Sequence, residues 1–85
     1  MKAKVSFPIE VIGPIANGCS EHPAIITRVW DERDTVDGPV SVNALMFLDG
    51  GGEPQFQPSI LLYDSREVAV AAAPGRRVAY WAANS

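Results

Sequence analysis

The residues with the greatest chemical capacity in this sequence are Arg76 and Arg77, followed at short range by Tyr80 and Trp81. Arginine grips phosphate or carboxylate through two parallel N–H donors. An aromatic ring offers a planar ligand a face to stack on. Arg28 and Trp30 repeat the combination upstream. In an extended chain, residues two or four apart share a face, so Arg28 projects with Trp30 and Arg77 with Trp81. If the two segments are neighbouring strands, Arg28, Trp30, Arg77 and Trp81 form one face that mixes cations and aromatics, and with Arg76 and Tyr80 flanking it these six are the candidate residues for a small anionic ligand. The competing reading makes the tryptophans core residues and the arginines solvated turn residues.

Other candidates carry less. Cys19 and His22 have the spacing of half a zinc site. A structural zinc needs about four ligands, and the chain has no second Cys or His. Completion by Glu21, by Asp31 or by a symmetry-related copy is the metal alternative. Nucleophilic catalysis by Cys19 and His22 requires hydrogen-bond contact and an orienting third group, which loop neighbours rarely achieve. The bland reading makes Cys19 a small buried hydrophobe and His22 a loop residue fixing the entry into the strand behind Pro23.

Asp31, Glu32, Asp34 and Asp37 crowd one segment beside Arg28 and Arg33. A general acid needs an apolar pocket to raise its pKa, and this polar stretch predicts a solvated hairpin end. Its spacing also fits a calcium loop poorly. Gly50-Gly51-Gly52 could cradle an anion with bare backbone N–H groups. It lacks the Lys-Ser/Thr of a P-loop and the helix of a dinucleotide turn, so a plain loop is expected. No catalytic constellation and no cofactor motif emerge, and the expected class is a binder, not an enzyme.

These side chains must be positioned by short strands. Val5, Phe7, Ile9 and Val11 alternate against Ser6, Pro8 and Glu10, the period of a half-buried strand. Pro8 cannot donate to a ladder, so this strand is expected at an edge or with Pro8 on its open side. Gly13-Pro14 and Asn17-Gly18 should break the chain. Ala24 to Trp30 reads as a second strand and 31–39 as an acidic turn region. Val40 to Leu48 is the longest strand candidate. Val40, Val42, Ala44, Met46 and Leu48 share one face, and the other passes from Ser41 and Asn43 to Leu45 and Phe47, which predicts burial on both faces at its end. The stretch 49–58 reads as loop, Ser59 to Asp64 as a strand and Ser65-Arg66-Glu67 as a turn. Val68 to Ala73 is a strand or a short helix. Arg76 to Ala82 closes the pattern, with Val78 and Tyr80 alternating against Arg77, Ala79 and Trp81. About five or six strands at this spacing predict a mainly β fold, a small antiparallel SH3-like or OB-like barrel, in one domain over residues 1–85.

Bulk properties narrow the function. The chain is 85 residues long, 47% hydrophobic and 20% charged, which excludes intrinsic disorder. The net charge of −3 argues against non-specific nucleic-acid binding, which needs excess Lys and Arg. No stretch is long and apolar enough to span a membrane, and the start has no secretory apolar region. With one cysteine, no internal disulfide is possible, and a reducing cytoplasm is expected. A core this small supplies roughly 3–5 kcal/mol, so a homo-oligomer is the expected source of further stability.

Several stretches resemble a known family. These are His22 to Trp30 (HPAIITRVW), Val42 to Gly50 (VNALMFLDG), Ser59 to Asp64 (SILLYD) and Pro74-Gly75, with Trp81 near the end. In that order they resemble small proteins encoded by bacteriophages and prophages that carry HPAIVxxVW, VNLxVFxDG and SVxYDE stretches. The resemblance covers most of the chain from His22 onward. It departs at the tail, where Arg76 to Trp81 (RRVAYW) replaces a Gly-Thr-Trp-His-Trp-Pro run and keeps one tryptophan. The resemblance implies a phage protein in the host bacterial cytoplasm and a small barrel, and it implies no established activity. Taken with the Arg/aromatic residues, the expected function is a phage accessory module that antagonises host defence. In its most concrete form it sequesters a nucleotide-type immune signal at subunit interfaces. The alternatives are a minor virion or assembly component and a binder of a host protein.

Overall fold

A computed structural model describes residues 2–16, 18–48 and 52–84. Five strands form a closed barrel: β1 (Pro8–Ala16), β2 (Cys19–Val29), β3 (Val40–Met46), β4 (Gln55–Tyr63) and β5 (Val78–Trp81). Their order around the barrel is their order in sequence, and closure removes free sheet edges over the length that β5 covers. Four contacts between neighbours are antiparallel, and β5 runs antiparallel to β1 but parallel to β4. Parallel neighbours need a crossover, and helix α1 (Arg66–Ala72) supplies it. This is the small, mainly β barrel that the alternation predicts.

The interior follows from period two. Ile9 and Val11, Ala24 and Ile26, Val40 to Met46 at alternate positions, Ile60 and Leu62, and Ala79 and Trp81 meet in one core. A second, smaller core lies outside the barrel wall, where α1 roofs β4 and β5 and buries Tyr63, Ala69, Val78 and Tyr80. The helix begins at Ser65, whose hydroxyl accepts from the Val68 N–H, the usual job of an N-cap serine.

Several expectations are corrected. The first strand begins at Pro8 and runs through Gly13 and Pro14; Val5 and Phe7 precede it and are exposed. Ser6, at φ 76°, turns the chain before the ladder starts. Pro8 pairs with Ile25 on β2 only, because β5 first reaches β1 at Ile9, so its missing N–H costs no bond there. The second strand starts earlier than Ala24, at Cys19. Phe47 is exposed and Leu45 half-buried, so the end of β3 is buried on one face alone. The stretch 55–58 is strand, not loop. Ser65 to Glu67 caps and opens α1 instead of forming a simple turn, and Val68 lies in that helix. Asn17 and Asp49-Gly50-Gly51, including most of the glycine cradle, lie outside the described residues.

Candidate functional site

Arg28 and Trp30 come together, although β2 ends at Val29 and Trp30 lies in the bend beyond it and not on the strand. The Arg28 Cζ sits 3.9 Å from the centroid of the Trp30 ring, a cation–π stack worth about 0.5–1 kcal/mol at an exposed site. A bulge in the β2–β3 ladder between Ile26 and Arg28 re-aims the chain here. The indole is fixed by its Nε1–H, which donates to Asn43 Oδ1 at 2.9 Å. The same oxygen accepts the Ser59 N–H at 2.9 Å. Ser59 has φ 54° and sits where the β3–β4 register shifts. One asparagine thus ties the tryptophan to a bulge on the next strand. Trp30 remains 52% exposed, so a ring face is held in place and open to solvent.

The other expected members lie elsewhere. Trp81 is 2% exposed, inside the barrel, and its Nε1–H donates to Thr35 Oγ1 at 2.9 Å. Tyr80 is buried beneath α1. Arg76 and Arg77 are exposed in the turn before β5. The segments carrying the two sets are not neighbours, because β1 separates β2 from β5. Register also sets them at opposite ends. Val78 is level with Ile12 and hence with Glu21, and Trp81 is level with Ile9 and hence with Ala24. Arg77 therefore lies at the Glu21 end of the barrel, and Arg28 and Trp30 at the other. Within one copy, the cations and aromatics do not make a single face.

A polar cluster not foreseen from sequence joins three elements. Glu21 on β2 receives both Arg66 Nε–H at 2.9 Å and Arg66 Nη2–H at 2.8 Å from α1, and the Tyr80 hydroxyl donates to its Oε1. The Arg66 guanidinium, then the Tyr80 hydroxyl, hold the Glu21 carboxyl below its usual range. Glu10, the ladder partner of Tyr80, is pushed up by burial and by the charge of Glu21, with His22 opposing. Burial, then the hydrogen bond to Glu21, push the Tyr80 phenol up from 10.0 to about 12. A phenol whose folded pKa is raised adds stability that is intact below its unfolded value near 10 and is lost as pH rises toward 12. A spectrophotometric titration should therefore show one tyrosinate phase near pH 12 that Tyr80→Phe removes, with stability falling over the same interval. Ionisation of that phenol near pH 10 would contradict the buried hydrogen bond.

Cys19 and His22 line one cleft with Glu21, Pro23, Phe47 and Leu48, but they differ in exposure. Cys19 is exposed, not a buried hydrophobe, because it opens β2 at the hairpin end. His22 is fully buried in the strand, not in a loop. Gly13 leaves room beside it: a Cβ there would sit 3.8 Å from His22 Cδ2 and 3.6 Å from Met46 Sδ. Among the described residues, no three His, Cys, Asp or Glu side chains come together as a metal site. The acidic segment is the solvated turn expected. Asp31 pairs with Arg33 at 2.8 Å, and Asp34 caps the short 3₁₀ turn Thr35–Asp37. Among the described residues no helix is long and apolar enough to cross a membrane.

A separate cleft of about 260 Å³ is lined by Lys2, Ala3, Lys4, Val29 and Glu32, and Arg28, Trp30 and Asn43 are not among its lining residues. Comparison with family models, with curated proteins and with solved structures found no match to this chain.

Proposed function

We propose that this chain is a non-catalytic binding module whose ligand is small, anionic and planar, of nucleotide type. The observation that carries this reading is the Arg28–Trp30 stack, held by Asn43 with the indole half in solvent. A base stacked on tryptophan gains about 1–3 kcal/mol, and arginine adds a donor fork for phosphate. The resemblance to phage and prophage proteins supplies the setting. There, a module that binds a nucleotide signal and leaves it intact would withdraw it from the host's defence.

Native mass spectrometry against a panel of cyclic and linear nucleotides tests this. The wild type should retain one of them, unaltered in mass and at fixed stoichiometry. Trp30→Ala should weaken that binding by about 10–100-fold, the loss of one stacking contact. Because Trp30 is exposed, the variant should keep its circular dichroism spectrum. Bare protein across the whole panel, or a bound nucleotide indifferent to Trp30→Ala, overturns the assignment.

A further inference from the structure

The outer face of the barrel wall carries an apolar row that runs straight across four strands. Pro8 pairs with Ile25, Ile25 with Leu45, and Leu45 with Phe56. The neighbours Ile9, Ala24, Ile26, Ala44 and Met46 fill the core, so Pro8, Ile25 and Leu45 face out, and the register sets Phe56 beside Leu45 on the same side. Ile25 is 40% exposed and Phe56 58% exposed. Next to this row, Pro23 and Phe47 lie side by side, joined by the Phe47 N–H to the Pro23 carbonyl at 2.9 Å, and Phe47 is 37% exposed. The face continues into the N-terminal half of β4. There β5 gives no cover, because its pairing with β4 starts only at Leu61.

Charge on this face sits at its two ends. Glu10 flanks Pro23 at one end, and Arg28 stands at the other, next to Asn43. The outward residues between them are uncharged in a chain that carries ten Asp and Glu. Such a face is complementary to itself. A two-fold axis lying in the contact plane and crossing the strands would reverse one copy end for end. Arg28 of each copy would then meet Glu10 of the other, with the apolar rows between them. Glu10 is pushed up by burial and by Glu21, with His22 opposing, and an incoming guanidinium would offset the repulsion from Glu21.

We propose that a second copy of this chain docks on the Pro8–Ile25–Leu45–Phe56 face, in an antiparallel two-fold dimer with reciprocal Arg28–Glu10 contacts. Aligned packing of the two sheets follows the usual geometry. Interfaces at the low end of the size range are typically weak and transient, and the dimer proposed is of that reversible, concentration-dependent kind. End-for-end reversal also brings the Arg77 end of one copy over the Arg28–Trp30 end of the other. This contact rests on the ligand reading only in placing that platform at a subunit boundary.

Sedimentation velocity of the full chain without nucleotide, from low micromolar to about 1 mM, is the test. A mass rising from the 9.1 kDa of the monomer to twice that is expected. Phe56→Ser and Arg28→Glu should each weaken association by at least tenfold, and Glu10→Arg combined with Arg28→Glu should restore it. Circular dichroism melts confirm that each variant folds. Trp30→Ala should leave the dimer intact, so loss of nucleotide binding and loss of dimer are read separately. A monomer over the whole range overturns the proposal. So does an assembly indifferent to Phe56→Ser, or a charge-reversed pair that fails to reassociate although both variants fold.

Discussion

Trp81→Ala is expected to leave the chain largely unfolded at room temperature. Trp81 is among the largest side chains sealed in the barrel and lies opposite Ile9 across the β1–β5 ladder. Phe7 meets its ring edge-on, with centroids 6.1 Å apart and planes at 72°. Removing a buried tryptophan costs about 3–5 kcal/mol, and a core of this size supplies roughly the same amount. The cavity would open between the first and last strands, the seam that closes the barrel. Circular dichroism and urea titration should show the loss of a cooperative transition. A cooperative melt within a few degrees of wild type would show that the seam tolerates the void.

Thr35→Val should lower the melting temperature by about 5–20 °C, for a different reason. The Thr35 hydroxyl accepts from Trp81 Nε1–H at 2.9 Å and donates to Asp64 Oδ1 at 2.8 Å. Valine keeps the shape and removes both bonds. A buried donor stripped of its partner costs about 1–3 kcal/mol, and a domain of this length loses about 4–8 °C per kcal/mol. The bond ties the 3₁₀ turn after β2 to the floor of the barrel, so a short surface turn acts as part of the core. Trp81→Phe removes the indole N–H, and in that background Thr35→Val should cost measurably less. Equal costs in both backgrounds would mean that the hydrogen bond contributes nothing to stability.

The barrel was legible because alternation in Ile9–Val11, Ala24–Ile26 and Val40–Met46 translates directly into one buried face. It failed where a second layer intervenes. Val78 and Tyr80 alternate with Ala79 and Trp81, yet all four are buried, since α1 covers the outward pair. Proline misled at β4: Pro58 and two glutamines suggested a loop, but Pro58 lies at the register shift, where the ladder asks for no donor. Val5 and Phe7 kept the strand period but fell outside it, because Ser6 adopts a left-handed turn that no pattern announces.

The candidate site divides the same way. Arg28 ends up beside Trp30, two residues on and just past the end of β2, a local spacing that the sequence reports. Asn43, which holds the indole, is thirteen residues away, on the next strand. Its role depends on a register that sequence spacing does not encode. The Glu21 cluster draws on Arg66 and Tyr80 at separations of 45 and 59 residues, and no local signal marks it. The six Arg and aromatic residues were grouped by type, and β1, inserted between β2 and β5, parts them.

The parallel seating of β5 between β4 and β1 has a consequence for how the molecule is made. Of the five strands, the one that completes the wall is synthesised after the other four, and its partners include the first of them. Until residue 81 emerges, β1 from Ile9 to Ile12 and β4 from Leu61 to Tyr63 each present an unpaired edge, and Tyr63 and Ile9 lack their cover. Contacts of such long sequence separation are slow to form, and unpaired edges invite association between nascent chains. Closure of the barrel therefore waits on one late, long-range pairing, which sets the pace of folding.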